Sequence, residues 1–262
     1  MTRKSKARLR RGQRKIPKSD DTAGVVMMEG KAIFITNDML IKQLQRDGPK
    51  VARSFDGLAR RDIVECSRIF ARCSARLIPF MPQPDETGFK ETAARLLFSA
   101  LNAYVASIEV ARHGYPRQYG ASARLVVETI AVVLDIATVA DSLEKFHKGK
   151  LKSTKSMQSA KKCLPMLGEI YGLLSNDFVH IGRGHATLEG PSLYNPGDQA
   201  LRFVTMTSRA LVVFIDVVAD LIFGSDAGRP IYWKPEGGGW RFDPDPEILA
   251  LMEVALQTEP PA

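Results

Sequence analysis

The sequence predicts a mainly α-helical protein: a helical bundle around a central apolar helix, with a small β-hairpin element from the N- and C-terminal segments. Residues 120–141, GASARLVVETIAVVLDIATVAD, are apolar on almost every side, as expected for a helix inside a bundle. Apolar residues recur at helical spacing in most other long segments. Two short apolar runs around glycine, 25–36 and 231–242, lie towards the two ends and have the pattern of hairpins.

The length and composition are those of a globular protein rather than a membrane or disulfide-rich one. The 262 residues are 45% hydrophobic and 25% charged, and no run of 18 uncharged apolar residues occurs. We therefore expect no contact with a membrane. The cysteines Cys66, Cys73 and Cys163 match neither a disulfide framework nor a metal-binding spacing. This favours a reducing, cytoplasmic location and predicts no metal and no cofactor.

The net charge of +8 comes from the beginning of the chain. Residues 1–18 hold nine Lys or Arg and no acid, whereas the rest carries 28 basic and 29 acidic residues. We predict a disordered basic tail over 1–23, followed by a single helical domain over 24–262. The tail is a candidate contact for RNA or another polyanion, and the alternative is a solubilising tail. The tail cations that we single out are Arg8, Arg10, Arg11, Arg14 and Lys15.

Helical spacing and the positions of Pro and Gly predict the remaining elements. In chain order these are a hairpin over 25–36 with its turn at Glu29-Gly30, helices over 38–47, 54–78, 86–113, 120–141, 157–181 and 199–223, a hairpin over 231–242, and a helix over 244–256. We expect the first helix to stop at Asp47-Gly48-Pro49 and Leu164-Pro165 to kink or divide the helix 157–181. Residues 142–156, rich in Lys and Ser, have the composition of a flexible link, and 182–198 that of a loop.

The central helix carries one line of charges on its apolar surface. Arg124, Glu128 and Asp135 fall on the same side of a helix. Buried charges are costly unless they are paired and hydrogen-bonded, so this line must find partners elsewhere in the chain.

Two other helices have charges in register. Arg61, Arg68 and Arg72 share a face of the helix 54–78, which either contacts phosphate or is simply solvated. In the helix 199–223, Arg202, Arg209, Asp216 and Asp220 align on one face. That face is either exposed or meets charges on other helices.

The stretches HGYPRQYGASARLVVETI (113–130) and YGLLSNDFVHIG (171–182) resemble bacterial helical proteins of the HEPN superfamily, over a core of about 86–223. The resemblance rests on R-x-x-x-E in one core helix and S-x-x-x-x-H at the end of the next. It implies a helical module linked to RNA, in a phage-defence or toxin–antitoxin context. HEPN ribonucleases carry an Arg followed, after four to six residues, by a His. Here Ser175 stands in the place of that Arg.

The resemblance assigns His180 as an acid or base, because imidazole titrates near neutral pH. Arg124, from the other helix, is the candidate phosphate clamp, since its planar guanidinium matches phosphate oxygens, and Glu128 would orient one of the two. Tyr171, Ser175, Asn176 and Arg183 are candidate binding residues around them.

These residues leave two functions open. The first is a module that binds RNA or a protein partner, with a homodimer among the candidates. The second is a metal-independent endoribonuclease that uses His180 and Arg124. The structural alternative is a polar network inside the bundle, in which Arg124, Glu128, Ser175 and His180 fix the register of the helices without chemistry of their own.

Overall fold

The computed structural model describes residues 21–81, 87–180, 186, 190–226 and 228–256. Within these residues the protein is mainly helical with two small antiparallel hairpins, which confirms the predicted fold class. The chain divides into two compact units, Met1–Lys50 and Val51–Ala262. The predicted tail, residues 1–23, lies outside the described residues except for its last three.

The first unit contains the N-terminal hairpin and a short helix. Strands β1 (Thr22–Met28) and β2 (Lys31–Thr36) pair in an antiparallel register that places Met28 opposite Lys31. The turn falls at Glu29-Gly30, as predicted, and both residues have positive φ, 49° and 73°. This is the pair of dihedrals that a two-residue hairpin turn requires. Helix α1 (Met39–Lys42) follows.

The predicted stop at Asp47-Gly48-Pro49 is wrong, because the helix widens there instead of ending. A π-helical segment, Gln43–Asp47, leads directly into helix α2 (Gly48–Leu77), and the Gly48 N–H donates to the Gln43 carbonyl five residues back. Pro49 has no N–H to donate, and its ring crowds the carbonyl four residues earlier. A wider turn before the proline accommodates both effects, so the chain stays helical.

The second unit is a helical bundle. After α2 come a 3₁₀ turn at Ile78–Phe80 and the helices α3 (Phe89–Arg112), α4 (Pro116–Thr138), α5 (Ser142–His147), α6 (Ser153–Cys163), α7 (Pro165–Leu174), α8 (Gln199–Phe223) and α9 (Pro246–Leu256). A π-helical turn, Ser175–Val179, extends α7. Strands β3 (Trp233–Glu236) and β4 (Gly239–Phe242) form the second hairpin. Among the described residues, each hairpin forms a two-stranded sheet of its own.

Helix α4 is the centre of this bundle, as its composition predicts. It packs against α3, α5, α6, α7, the π-helical turn and α8. Its buried side chains point in several directions, and Leu125, which is 56% exposed, is the large apolar exception. Gly120 lets the π-helical turn approach closely, because a Cβ there would lie 2.2 Å from Cγ of Phe178. Phe178 in turn stacks on Phe203 of α8 at 4.9 Å.

The prediction of a flexible link over 142–156 is wrong. These residues form α5 and the first turn of α6, and Ser142 and Ser156 are buried. The predicted break at Leu164-Pro165 is confirmed, since α6 ends at Cys163 and Pro165 begins α7. Pro is well suited to the first turn of a helix, where its missing N–H would have no partner.

Among the described residues, α3 is the one helix long and apolar enough to cross a membrane when judged by length and composition. Nine of its residues are buried, and it packs against α4 and α8. The buried core helix of a bundle meets the same criterion of length and composition.

Candidate functional site

The polar line of α4 begins with an ion pair inside the helix. The Arg124 Nε donates to Glu128 Oε1 at 2.9 Å, one turn further along. The two side chains are 20% and 22% exposed, so most of this pair is removed from water. A pair at this spacing on a single helix is a familiar local contact, and partial burial strengthens it.

Tyr171 of α7 completes the environment of Arg124. The Arg124 Nη2 donates to the Tyr171 hydroxyl at 2.9 Å, and the guanidinium carbon lies 5.0 Å from the centre of the ring. Ser175, one turn beyond Tyr171, is buried and donates to the Tyr171 carbonyl at 2.6 Å. The residues predicted from the two resembling stretches therefore do meet, with Arg124, Glu128, Tyr171 and Ser175 at the contact between α4 and α7.

Helix α6 supplies the partners that the rest of the polar line needs. Ser156 donates to Asp135 Oδ2 at 2.9 Å, and Asp135 is only 4% exposed. Ser153 donates to Glu128 Oε2 at a long 3.4 Å. Both serines lie in or next to the stretch assigned from its composition to a flexible link. Their hydroxyl groups donate hydrogen bonds that offset the cost of burying a carboxylate in this part of the bundle.

This arrangement is a polar network that holds α4, α6 and α7 in register. Arg124 uses both Nε and Nη2 on protein partners, and Glu128 accepts from two helices. A phosphate clamp needs a guanidinium edge that faces the ligand, and here the edge formed by these two nitrogens faces Glu128 and Tyr171. The geometry thus favours a role for Arg124 and Glu128 in fixing helix register.

The remaining predicted site residues lie away from this network or outside the described residues. His180 and Asn176 are exposed, and the His180 N–H donates to the Ser175 carbonyl at 3.1 Å. Within the described residues, the His180 side chain makes no hydrogen bond or ion pair, and none of the Arg124 hydrogen bonds goes to it. Arg183 and the tail cations Arg8, Arg10, Arg11, Arg14 and Lys15 lie outside the described residues.

A second polar cluster, which the spacing of the charges did not predict, joins α2 to α8. Asp216 is fully buried, and it accepts from Arg72 at 2.6 and 2.9 Å, from Arg76 at 2.7 Å and from the Tyr232 hydroxyl at 2.7 Å. The alternative that the aligned charges of α8 meet charges on other helices is therefore the correct one for Asp216.

Asp220, one turn further along α8, is also fully buried. Its Oδ2 accepts the backbone N–H groups of Ile231 and Tyr232 at 2.8 and 2.9 Å, which fixes the chain entering β3. Its Oδ1 lies 3.1 Å from Arg76 Nη2 but, among the described residues, receives no well-directed hydrogen bond. Burial raises the pKa of Asp220, and the Arg76 charge and the two N–H donors only partly oppose this effect.

Arg209 on the same face of α8 is also paired. It lies 3.3 Å from Asp62 and 2.7 Å from Glu65, both on α2. Arg202, by contrast, is exposed. Most of the aligned face of α8 therefore contacts α2. In some of the ion pairs the acid lies on α8, and in others it lies on α2.

Helix α2 also has a basic face that looks outwards. Arg53, Arg60, Arg61 and Arg68 are all exposed, and residues seven apart, such as 53 and 60 or 61 and 68, project from the same side. We call these four residues the α2 basic face. Arg61 is 91% exposed and lies 3.5 Å from Glu65; within the described residues, the other three form no ion pair.

The neighbourhood of the α2 basic face suits a linear ligand. A cavity of about 570 Å³ is lined by Arg60, Arg61 and Arg68 together with Val64 and Glu65. Gly57, on the same stretch of the helix, has open space where a Cβ would stand. Arg72 was predicted to share a face with Arg61 and Arg68, but its guanidinium instead donates to Asp216, and Arg53 and Arg60 lie on that face.

No set of side chains in the described part of the chain could hold a metal ion. The described residues also line several cavities. One, of about 900 Å³, lies beside the second hairpin and is lined by Trp233, Trp240 and Phe242, with Lys162 and Arg241 at its edge. Trp233 is part of the core, and its indole N–H donates to the Val217 carbonyl at 2.8 Å.

Comparison with protein-family models, with curated proteins and with solved structures finds no match for this chain. The resemblance to HEPN proteins accordingly stays a prediction from the sequence.

Proposed function

We propose that this chain is a HEPN-like helical module that binds RNA through the α2 basic face. The observation that carries the proposal is the exposure of Arg53, Arg60, Arg61 and Arg68 on one side of one helix, where Glu65 lies 3.5 Å from Arg61. Arg53, Arg60 and Arg68 form no ion pair within the described residues and are available to phosphate, which arginine binds through two parallel hydrogen bonds.

A row of cations on a helix fits a polyanion better than a single phosphate compound. From Arg53 to Arg68 the helix rises about 22 Å, at roughly 1.5 Å per residue. That length spans several phosphates of a nucleic-acid backbone, and each contact would release condensed counterions. The basic face explains attraction to any nucleic acid, while the resemblance to HEPN proteins is what favours RNA over DNA.

The basic tail supports the same proposal from the sequence. Its nine cations within residues 1–18 would add sequence-independent affinity, without base stacking, because no aromatic residue interrupts the run. A phage-defence or toxin–antitoxin setting and a cytoplasmic location belong to the proposal through the resemblance alone.

The geometry favours binding over cleavage. The composite nuclease would need Arg124 to turn towards a phosphate near His180, and this would break its contacts with Glu128 and Tyr171. Breaking a partly buried ion pair leaves a charge without its partner and is costly. The exposure of His180 alone does not supply the second catalytic group that transfer of the 2′-OH proton and stabilisation of the phosphorane require.

The test is RNA binding by the full chain over a series of salt concentrations. The variant Arg60→Gln/Arg68→Gln removes two cations from the α2 basic face. The control Arg202→Gln/Arg229→Gln removes two exposed cations elsewhere and gives the same net charge. If both arginines contact phosphate, the slope of log affinity against log salt falls by about 1.4–1.8, and the control leaves it nearly unchanged.

Equal effects of the two variants would place the binding elsewhere and contradict the proposal. The cleavage alternative is tested beside it, with a mixed labelled RNA pool in excess chelator and the variant His180→Ala. Binding without cleavage is the expected result. Cleavage by the natural chain that is lost in a folded His180→Ala variant would establish the endoribonuclease instead.

A further inference from the structure

The first unit exposes an unusually large apolar surface. Seven large apolar side chains of residues 25–35 and four of residues 39–44 are between 37% and 69% exposed. We call this surface the hairpin patch. At about 100 Å² for each half-exposed side chain it amounts to on the order of 1,000 Å², whereas the largest apolar patch of a typical monomer is about 300–600 Å².

Both faces of the hairpin contribute to the patch. Side chains alternate between the faces of a strand, so Val25 and its partner Phe34 lie on one face while Val26 and its partner Ile33 lie on the other. Most solvated hairpins keep one polar face, and a two-stranded sheet alone is marginally stable in water. This hairpin has no polar face. If both faces were in contact with solvent, no burial of apolar side chains would stabilise the folded hairpin.

The edges of the hairpin narrow the choice of partner. Within the described residues, β1 and β2 pair only with each other, and the outer edge of each strand has no strand beside it. Open edges of this kind do not occur in the hydrocarbon of a bilayer, because their N–H and C=O groups would lose their hydrogen bonds. A protein strand, by contrast, satisfies these groups while it covers apolar side chains.

The charges of the patch fit a copy of itself. Residues 21–44 contain three acids and two lysines, and Lys42 is paired with Asp38 at 2.6 Å. A nearly neutral surface gives little attraction to an anionic membrane or a strongly charged protein, but it does not repel its own copy. Its area also meets the roughly 800 Å² per partner that a stable dimer buries.

We infer that the hairpin patch is a homodimer interface, in which residues 21–44 of two copies of this chain pack together about a two-fold axis and cover each other's apolar side chains. A two-fold axis brings the same strand of each copy together in antiparallel orientation. The inference is independent of RNA binding, since it rests only on residues 21–44.

The test is the mass of the full chain by sedimentation and light scattering at micromolar concentration. The expected result is a particle of twice 28.9 kDa that dissociates on dilution. Added salt should strengthen the dimer, because it combines apolar burial with repulsion between two tails of nine cations each. RNA binding should instead weaken with salt, so the two effects are distinguishable.

The decisive variant is Val26→Glu/Phe34→Glu, which places one carboxylate on each face of the hairpin. Its control, Val105→Glu/Leu125→Glu, changes two residues of the second unit that are 51% and 56% exposed. We expect the dissociation constant to rise at least about a hundredfold for the hairpin variant, because each carboxylate is buried twice in a symmetric dimer. The control should remain dimeric.

Circular dichroism of both variants monitors the helical unit, which the hairpin substitutions should leave intact. A monomeric natural chain, or a hairpin variant that dimerises like the control, would overturn the inference. Sedimentation of a monomeric natural chain with vesicles of anionic phospholipid, lost in the hairpin variant, would also overturn it and assign the patch to a membrane surface.

Discussion

Replacement of Asp216 by Asn should destabilise the helical unit more than any other single change of a charged side chain that we consider. Asp216 is fully buried and accepts four hydrogen bonds, from Arg72, Arg76 and Tyr232. Asn keeps the shape but removes the charge and turns an NH₂ group towards donors. The change therefore leaves two arginines facing a group that can no longer accept from all of them.

The size of the effect follows from the exposure of those partners. Removing one partner of a buried ion pair costs about 3–5 kcal/mol. Arg76 is only 11% exposed but keeps its contact with Asp220 at 3.1 Å, and Arg72 is 43% exposed and regains water. We therefore expect the lower end, about 3 kcal/mol. For a unit of roughly 200 residues this corresponds to a fall in Tm of about 6–12 °C.

The assay is thermal unfolding followed by circular dichroism, with Asp226→Asn as the matched control. Asp226 pairs with Lys90 at 2.7 Å, but both side chains are more than a third exposed. Such a surface pair contributes about 0–1 kcal/mol, so the control should shift Tm by no more than a few degrees. If Asp216→Asn lowers Tm no further than Asp226→Asn does, the cluster is not what joins α2 to α8.

Three smaller changes test other parts of the same unit. Ser156→Ala removes a donor to the buried Asp135 and should cost about 1–3 kcal/mol in urea unfolding, an effect absent if residues 142–156 were a flexible link. Gly120→Ala should cost about 1–3 kcal/mol by overpacking against the neighbouring aromatic ring, and a gain in stability would contradict the close approach. Arg112 lowers the pKa of Asp56, so this pair stabilises above pH 3.8 and loses its effect as the pH falls through the lowered pKa. Asp56→Asn should accordingly cost no more than about 1 kcal/mol at neutral pH, and unfolding curves should converge in acid.

The sequence predicts those features of the fold that local pattern controls. Helix 199–223 has the predicted bounds, because Asp198 accepts from two N–H groups of its first turn and Gly224 follows its end. The turn at Glu29-Gly30 and the break at Leu164-Pro165 also follow from local backbone preferences. The fold class follows from the apolar surface of residues 120–141, the helical spacing of the other long segments and the two short apolar runs around glycine.

Errors arise where a distant contact outweighs local composition. Residues 142–156 are polar enough for a link, but Ser156 is drawn into the bundle by a carboxylate 21 residues earlier in the chain. The pairing of Arg72 with Asp216 joins residues 144 positions apart, and no local spacing indicates it. The contact of Arg124 with Tyr171 could be predicted only because two separate motifs, in 113–130 and 171–182, indicated that these two helices meet.

The charges of α2 can be separated into two sets only when the partners of each are known. Its acids are engaged by other helices: Asp56 binds Arg112, and Glu65 binds Arg209. Of its arginines, Arg72 and Arg76 neutralise the buried carboxylates of α8.

The four arginines of the α2 basic face therefore remain as an excess that folding does not require. Arg61 lies near Glu65, whereas Arg53, Arg60 and Arg68 form no ion pair within the described residues, so the exposed cations of this face repel one another. An anionic ligand along that face would remove the repulsion. This imbalance, rather than the total charge of the chain, is the physical reason to look for RNA on α2.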